Sequence, residues 1–371
     1  MTLSEMAFRA GCFGIAAALG CGCVATIGVA EELQEAIESV NQASDDELLT
    51  ELQRRHEDRR DISATLKKGI DSRDIKTGLG KFDDVTFNKA LRAAEAGGRV
   101  IYGPDDRKDW YEINDNLIKK LAGASVALFT RADLQPASSD SVKLRTTTLG
   151  ESQGLCNDET FRDQRVGAWC SGTLVTKDVV LTAGHCVREI SNDPRIPYIG
   201  SVSFVFGYRV EIPGSPGVTE IPRDHTFSGG QVLAGELEGD RGRDWALVKL
   251  AHPVSPSIAE PVTGWWKDVA TKDQDVFVIG YPSGLPVKFA PGASIREASN
   301  ETYFTANLDT FGGNSGSGVY DAATNQLIGI LVRGDTDYVR DEQAGCVRAN
   351  MCPTSGCRGE DVTRISLVPS P

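Results

Sequence analysis

Short apolar runs separated by turn-forming residues fill the chain from about residue 100 onward, and they constrain the fold more than any other feature. Gly, Pro, Asn and Asp interrupt these runs, and helical periodicity is almost absent. Runs of this kind are typical of an all-β sandwich or barrel. The clearest six lie at 125–129, 179–182, 202–206, 245–250, 276–279 and 327–332. We therefore predict one all-β domain over residues 100–371.

Residues 31–99 have a different composition, rich in Glu, Asp, Arg and Lys and free of cysteine. Their apolar residues recur at intervals of three and four, as one face of a helix requires. Ser44 followed by Glu47 fits a capping box, which predicts a helix start directly after Ser44. We expect a small acidic helical segment.

A basic residue at the end of that segment suggests a cleavage point. Arg99-Val100 directly follows two glycines that would end a helix. We interpret residues 31–99 as a removable pro-segment, with a stalk or a small binding domain as alternatives.

The first thirty residues form an export or anchoring segment, because no charged residue occurs from 10 to 30. Small residues up to Ala30 suit signal cleavage, while the apolar length also approaches the ~18 to 20 residues that span a bilayer. Cys21 is a candidate for lipid attachment. We expect residues 1–30 to be a cleaved signal peptide, with a lipoprotein or an uncleaved anchor as alternatives. Any membrane contact would then come through this segment.

Six of the nine cysteines lie between Cys156 and Cys357. An even set in one region of an exported chain predicts disulfides and a secreted or periplasmic location. No Cys-x2-Cys pair occurs after Cys23, so a zinc site is not favoured. The formal charge of -13 leaves no basic stripe for phosphates, which argues against a nucleic-acid partner.

One of the four histidines has the surroundings of a catalytic base. A serine hydroxyl needs a base beside it and a third group that orients the base. His185 follows a predicted strand at 179–182, and Cys186 could bond Cys170 to hold the turn. The other three histidines lie in charged, polar or proline-flanked stretches and are better explained as surface residues.

An orienting carboxylate should stand at the start of a buried strand. Asp244 opens the apolar run DWALVKL at 244–250. Asp240 is the nearest competitor, but a loop pattern follows it. We therefore favour Asp244.

The stretch FGGNSGSGV at 311–319 contains two candidate serines among four glycines. Glycines permit close backbone approach, so the amides of Gly313 and Ser315 could point at one spot and stabilise an oxyanion. A flexible Gly/Ser loop is the alternative. A nucleophile elbow, with the pattern G-x-S-x-G, is a second alternative. It would need Gly where Ser317 stands and a catalytic histidine later in the chain than the serine, and neither condition is met.

Three motifs in the order His, Asp, Ser resemble the chymotrypsin-like (trypsin-fold) serine endopeptidases, in particular the bacterial branch that includes the glutamyl endopeptidases. These motifs are TAGHC at 182–186, DWALVKL at 244–250 and GGNSGSG at 312–318. Residues 100–107 and 281–286 also resemble that branch. The resemblance implies two six-stranded antiparallel β-barrels with the active site between them.

The resemblance also implies roles for single residues. His185 would be the general base, Asp244 its orienter and Ser315 the nucleophile, with the amides of Gly313 and Ser315 as the oxyanion hole. No metal or organic cofactor is implied.

Substrate preference stays open at this point. Asp309 falls where trypsins hold the aspartate that binds Arg or Lys, although Arg333 could neutralise it. Thr310 matches the glutamyl endopeptidases, but Leu331 stands where they place a histidine. Asn314 replaces the aspartate that captures the new N-terminus in animal trypsins, so that salt bridge cannot form. We name Asp309, Thr310 and Leu331 as substrate-binding candidates.

The sequence thus predicts a secreted, monomeric serine endopeptidase made as a precursor and acting on proteins or peptides. The alternative is a catalytically silent protease-like binding or regulatory protein.

Overall fold

The protein, represented by a computed structural model, is described over residues 101–239, 242–263, 270–334 and 336–371. The predicted signal peptide, pro-segment helices and cleavage point lie outside these ranges. Among the described residues, no helix is both long and apolar enough to cross a membrane.

Strands are the main regular secondary structure of the described chain. The strands before residue 251 are β1 Ile101–Tyr102, β2 Lys108–Asp109, β3 Ser125–Thr130, β4 Leu134–Pro136, β5 Ser141–Leu144, β6 Thr147–Thr148, β7 Arg165–Val166, β8 Cys170–Thr176, β9 Val179–Thr182, β10 Val202–Val205, β11 Glu220–Pro222, β12 Thr226–Leu237 and β13 Asp244–Leu250. The later strands are β14 Asp275–Gly280, β15 Lys288–Glu297, β16 Tyr303–Ala306, β17 Gly318–Asp321, β18 Leu327–Arg333, β19 Tyr338–Asp341, β20 Cys346–Ala349, β21 Met351–Cys352 and β22 Glu360–Arg364. All six apolar runs named from the sequence lie mainly in strands.

In the described part of the chain, three short α-helices interrupt the strands, namely α1 Asn116–Ala124, α2 Leu149–Gln153 and α3 Arg188–Ser191. The first was not predicted. Asp115 caps it by accepting hydrogen bonds from the amides of Leu117 and Ile118, and its apolar face is buried. One capped helix of nine residues is too short to stand out among the strand-like runs.

The first barrel is a closed sheet in the order β10-β12-β13-β9-β8-β3. Within this sheet, β9 and β13 are antiparallel neighbours, and Thr182 pairs with Ala246. The interior consists of aliphatic and aromatic side chains with almost no solvent exposure, such as Leu128, Leu181, Phe204 and Val248. Burial of this apolar surface is the main stabilising contribution to such a barrel.

The second barrel runs β14-β17-β18-β22-β16-β15, and a pairing of β14 with β15 closes it. Strand β2 from the N-terminal part adds to the outside of β15. All of these pairings are antiparallel. The predicted all-β fold of two six-stranded barrels is therefore confirmed.

Three disulfides connect the described cysteines: Cys170–Cys186, Cys156–Cys346 and Cys352–Cys357. The first is the pair expected from the sequence. The four remaining cysteines allow three connectivities, which the sequence does not rank, and the structure has one of them. Disulfides of this number are typical of proteins in extracellular or periplasmic environments.

Candidate active site

A tight turn presents His185 directly after strand β9. Residues Gly184–Cys186 form one turn of 3-10 helix. A Cβ at Gly184 would come within 2.5 Å of the main-chain oxygen of Glu236, so only glycine fits there. The first disulfide ties this turn to β8. The position of the imidazole is therefore fixed from two sides.

Asp244 holds the imidazole in one orientation. Its Oδ2 lies 2.7 Å from Nδ1 of His185, and its Oδ1 accepts the His185 main-chain amide at 3.0 Å. The carboxylate side chain is only 2% exposed, whereas that of His185 is 35% exposed. Thr363 of the second barrel donates its hydroxyl to the Asp244 carbonyl at 3.1 Å. Both barrels thus contact this residue.

The hydrogen bond between the two side chains also defines where the imidazole proton lies. An ionised carboxylate can only accept, so Nδ1 of His185 carries the proton and Nε2 is left as an acceptor. Burial alone would raise the pKa of Asp244. The attraction and hydrogen bonds of His185, with a smaller contribution from Arg333, hold this pKa below its usual value instead. Asp244 is accordingly ionised at neutral pH.

The loop that carries Ser315 packs directly on the first barrel. The main-chain oxygen of Ser315 accepts the Ser171 amide at 2.8 Å, and it lies 3.7 Å from the sulfur of Cys186. A Cβ on Gly316, whose φ is +88°, would collide with the Ser171 carbonyl and the Thr182 hydroxyl. The structure therefore brings Ser315 beside the turn that contains His185.

The two glycines before Asn314 are held at several points. The Gly312 amide donates to Asp337 at 2.8 Å, and the Gly312 carbonyl accepts the Ser283 amide at 2.5 Å. The Gly313 carbonyl accepts the Ser171 hydroxyl at 2.7 Å. Among the described residues, the Gly313 amide makes no hydrogen bond.

Ser317, the second serine of the stretch, lies inside the turn. Its hydroxyl donates to the side-chain oxygen of Asn314 at 3.1 Å, and its amide donates to the Asn314 carbonyl at 2.8 Å. The side chain has no solvent exposure. Ser317 therefore supports the turn from inside.

The side chain of Asp309 is hydrogen-bonded to the N-terminal strand β1. Its Oδ1 accepts the Tyr102 amide at 2.7 Å, and the residue is 5% exposed. Burial raises the pKa of Asp309 to about 7, against the opposing hydrogen bond from Tyr102. Asp106 raises this pKa further, and Arg107 lowers it.

The other substrate-binding candidates also lie in buried surroundings. The Thr310 hydroxyl donates to Glu360 at 2.6 Å. Leu331 has no exposed side chain and packs in the core of the second barrel. Arg333, which the sequence suggested as a partner of Asp309, contacts Asp361 at 3.6 Å and donates to the Gly242 carbonyl at 3.0 Å. Arg107 is a cation whose charge lowers the pKa of Asp309.

The sequence did not reveal several residues that support the Ser315 loop. Ser171 accepts the Tyr281 amide and donates to the Gly313 carbonyl, so it joins three segments. Ser283 and Tyr338 share a hydrogen bond of 2.6 Å beside the same loop. A hydroxyl residue in a strand or turn carries no signal of such a contact. The resemblance of 281–286 to one enzyme branch was the one available indication.

Proteins similar to this chain are peptidases. The family described as trypsin-like peptidase domain matches residues 170–330. A trypsin-like protease from Streptomyces glaucescens is 27% identical over 258 residues, covering 63% of this chain and 87% of that protein.

Solved structures similar to this chain include a Glu endopeptidase in complex with MPD, at 14% identity and a TM-score of 0.41, covering 72% of this chain and 94% of the other. The active form of an M. tuberculosis protease is 16% identical with a TM-score of 0.36, covering 71% of this chain and 84% of the other.

Because the family match spans the segment from Cys170 to Ile330, the resemblance to trypsin-like peptidases that the sequence motifs indicated is confirmed.

Proposed function

We propose that the chain is a serine endopeptidase that cleaves peptide bonds through an acyl-enzyme on Ser315. The family match and the Streptomyces relative support a peptidase with protein or peptide substrates. The observation that carries the serine mechanism is the His185–Asp244 pair, with the Ser315 loop packed against the same turn.

In the proposed acylation step, Nε2 of His185 accepts the hydroxyl proton of Ser315 while Oγ attacks the scissile carbonyl carbon. Asp244 keeps the Nδ1 proton in place and stabilises the imidazolium that forms. The tetrahedral intermediate then collapses as His185 returns the proton to the leaving amine. Water repeats these steps to release the acyl group.

Negative charge develops on the substrate oxygen in both steps. We assign its stabilisation to the amides of Ser315 and of Gly313, whose φ is 87°. Loss of one such donor typically lowers the rate by about 10² to 10³.

We further propose that the enzyme is exported and made as a precursor. The described disulfides favour an oxidising compartment, and the acidic segment 31–99 precedes strand β1. Cleavage at Arg99-Val100 would leave β1 paired with β21.

A fluorophosphonate probe tests the proposed function, because it reacts with an activated serine without needing a known peptide substrate. We expect labelling of the wild type and none of Ser315→Ala. Ser317→Ala is the matched control, since it removes the neighbouring hydroxyl and should keep the label.

Absence of labelling in the wild type, also after removal of residues 31–99, would favour the catalytically silent binding or regulatory protein. Labelling that persists in Ser315→Ala would contradict the assignment of the nucleophile.

A further inference from the structure

The peptide group between Gly312 and Gly313 needs an external restraint. A trans peptide is planar, so its C=O and N–H point in opposite directions. Glycine adopts positive and negative φ with similar ease, and two glycines in sequence would allow this peptide to rotate by half a turn. Such a rotation would replace the Gly313 N–H by the Gly312 carbonyl.

Ser283 supplies this restraint from a neighbouring turn. Its amide donates to the Gly312 carbonyl at 2.5 Å. With the carbonyl held on that side, the Gly313 N–H must point to the opposite side of the peptide plane. A Cβ on Gly313 would also come within 2.8 Å of the Tyr281 carbonyl, so the two segments lie in direct contact.

Ser283 is itself in an unfavourable conformation. Its φ of 51° and ψ of 20° fall in the left-handed region that residues with a Cβ avoid. The Ser283 hydroxyl lies 2.6 Å from the Tyr338 hydroxyl, and this hydrogen bond holds the residue in place.

Tyr338 is positioned by contacts unrelated to the turn. Its ring stacks on Phe311 with centroids 4.8 Å apart and an interplanar angle of 21°. Tyr338 is the first residue of β19, which pairs with β20, and the Cys156–Cys346 disulfide fixes that hairpin. The ring therefore contacts the residue before Gly312, while its hydroxyl holds the turn that binds Gly312.

We propose that Ser283 and Tyr338 are positioning residues that keep the Gly313 amide directed toward the substrate oxygen. Neither touches the reacting atoms. This proposal rests on the proposed function, because it assumes that the Gly313 amide stabilises an oxyanion.

The test compares Tyr338→Phe and Ser283→Ala with the wild type. Tyr338→Phe keeps the stack on Phe311 and removes only the hydroxyl. We measure the second-order rate constant of fluorophosphonate labelling, and kcat and KM for a p-nitrophenyl ester. Each variant should lose about 10-fold in labelling rate and in kcat, less than complete loss of an oxyanion donor. KM should stay within about twofold, because ground-state binding does not use the oxyanion contact.

Additional variants separate positioning from folding. Ser283→Gly relieves the left-handed strain while removing the hydroxyl, so it should fold and still lose activity. The double variant Ser283→Ala/Tyr338→Phe should be no slower than either single variant, because both remove the same hydrogen bond. Tyr198→Phe is the control, since its ring is exposed and contacts Arg188 rather than the Ser283 turn. It should keep the wild-type rate.

The acid limb of the pH–rate profile gives a readout that a general loosening of the site would move. We expect it to be unchanged in these variants, because the His185–Asp244 pair is untouched. Unchanged kcat, a rise in KM alone, or additive single effects would overturn the proposal. A wild type that is not labelled would overturn the proposed function and this proposal with it, whereas a labelled wild type with unaffected variants would overturn this proposal alone.

Discussion

At the scale of single residues, Asp309 has contacts that its place in the sequence does not reveal. It lies six residues before Ser315, where a carboxylate could bind a basic substrate side chain. Its Oδ1 instead accepts the Tyr102 amide, and the residue is 5% exposed. We infer that Asp309 anchors the N-terminal strand.

The first prediction concerns substrate preference. Asp309→Asn keeps an oxygen for the Tyr102 amide and removes the charge. Because the carboxylate is enclosed by the protein, we expect the ratio of Lys- and Arg-ester hydrolysis to neutral-ester hydrolysis to change by less than about twofold. A selective loss of Lys and Arg esters would instead show that Asp309 binds basic substrates.

The second prediction concerns stability against pH. With its pKa raised to about 7, Asp309 stays protonated in the folded chain over a window in which the unfolded chain has lost this proton. The free energy of unfolding should therefore fall as pH rises from about 4 to 7. One pKa unit corresponds to about 1.4 kcal/mol.

Urea unfolding of wild type and Asp309→Asn at pH 5 and pH 8 measures this contribution. The contributions of other titratable groups to the free energy of unfolding cancel in the difference between the two proteins. Relative to the wild type, the variant should gain roughly 2 to 3 kcal/mol between pH 5 and pH 8. An equal pH dependence in both proteins would show that Asp309 ionises normally.

At the scale of elements, the sequence predicted strands better than connections. The runs at 179–182 and 245–250 were recognisable because apolar stretches of this length between turn residues are typical of strands. The β19–β20 hairpin and its disulfide were not. Pairing of Cys156 with Cys346 joins positions 190 residues apart, and such a contact depends on the tertiary fold rather than on local pattern.

The third prediction concerns that disulfide. Replacing Cys156 and Cys346 together by Ser should destabilise the fold more than replacing Cys352 and Cys357, whose sequence separation is only 5 against 190. In the chain-entropy account the difference is roughly 3 kcal/mol. Urea unfolding of both double variants gives the comparison.

The labelling rate supplies a second observable, because the Cys156–Cys346 disulfide fixes the hairpin that carries Tyr338. It should fall only in the first double variant. Equal stabilities and equal rates would argue against a role of the hairpin in holding the loop.

At the scale of the whole molecule, the candidate site lies where the two barrels meet. His185 and Asp244 come from the first barrel, and Ser315 from the loop before β17 of the second. Their order in the chain was enough to propose the three residues. The contacts of Ser171 with the loop were not predictable, because they join segments more than a hundred residues apart. The contact of Ser283 depends on a left-handed conformation that the resemblance of residues 281–286 did not specify.

The fourth prediction concerns the precursor. If cleavage at Arg99-Val100 releases the acidic segment, Arg99→Gln should accumulate as the uncleaved form, whereas Arg92→Gln in the same segment should be processed normally. N-terminal sequencing of the secreted protein checks this, and a mature N-terminus elsewhere than Val100 would place the cleavage point wrongly.

The most direct test of the central claim is the mass of the protein after reaction with a fluorophosphonate, followed by mapping of the modified peptide. We predict one added probe mass per chain, located on Ser315 within residues 311–319, and no addition in Ser315→Ala. Modification of a different residue, or no modification of a folded protein freed of residues 31–99, would contradict the account.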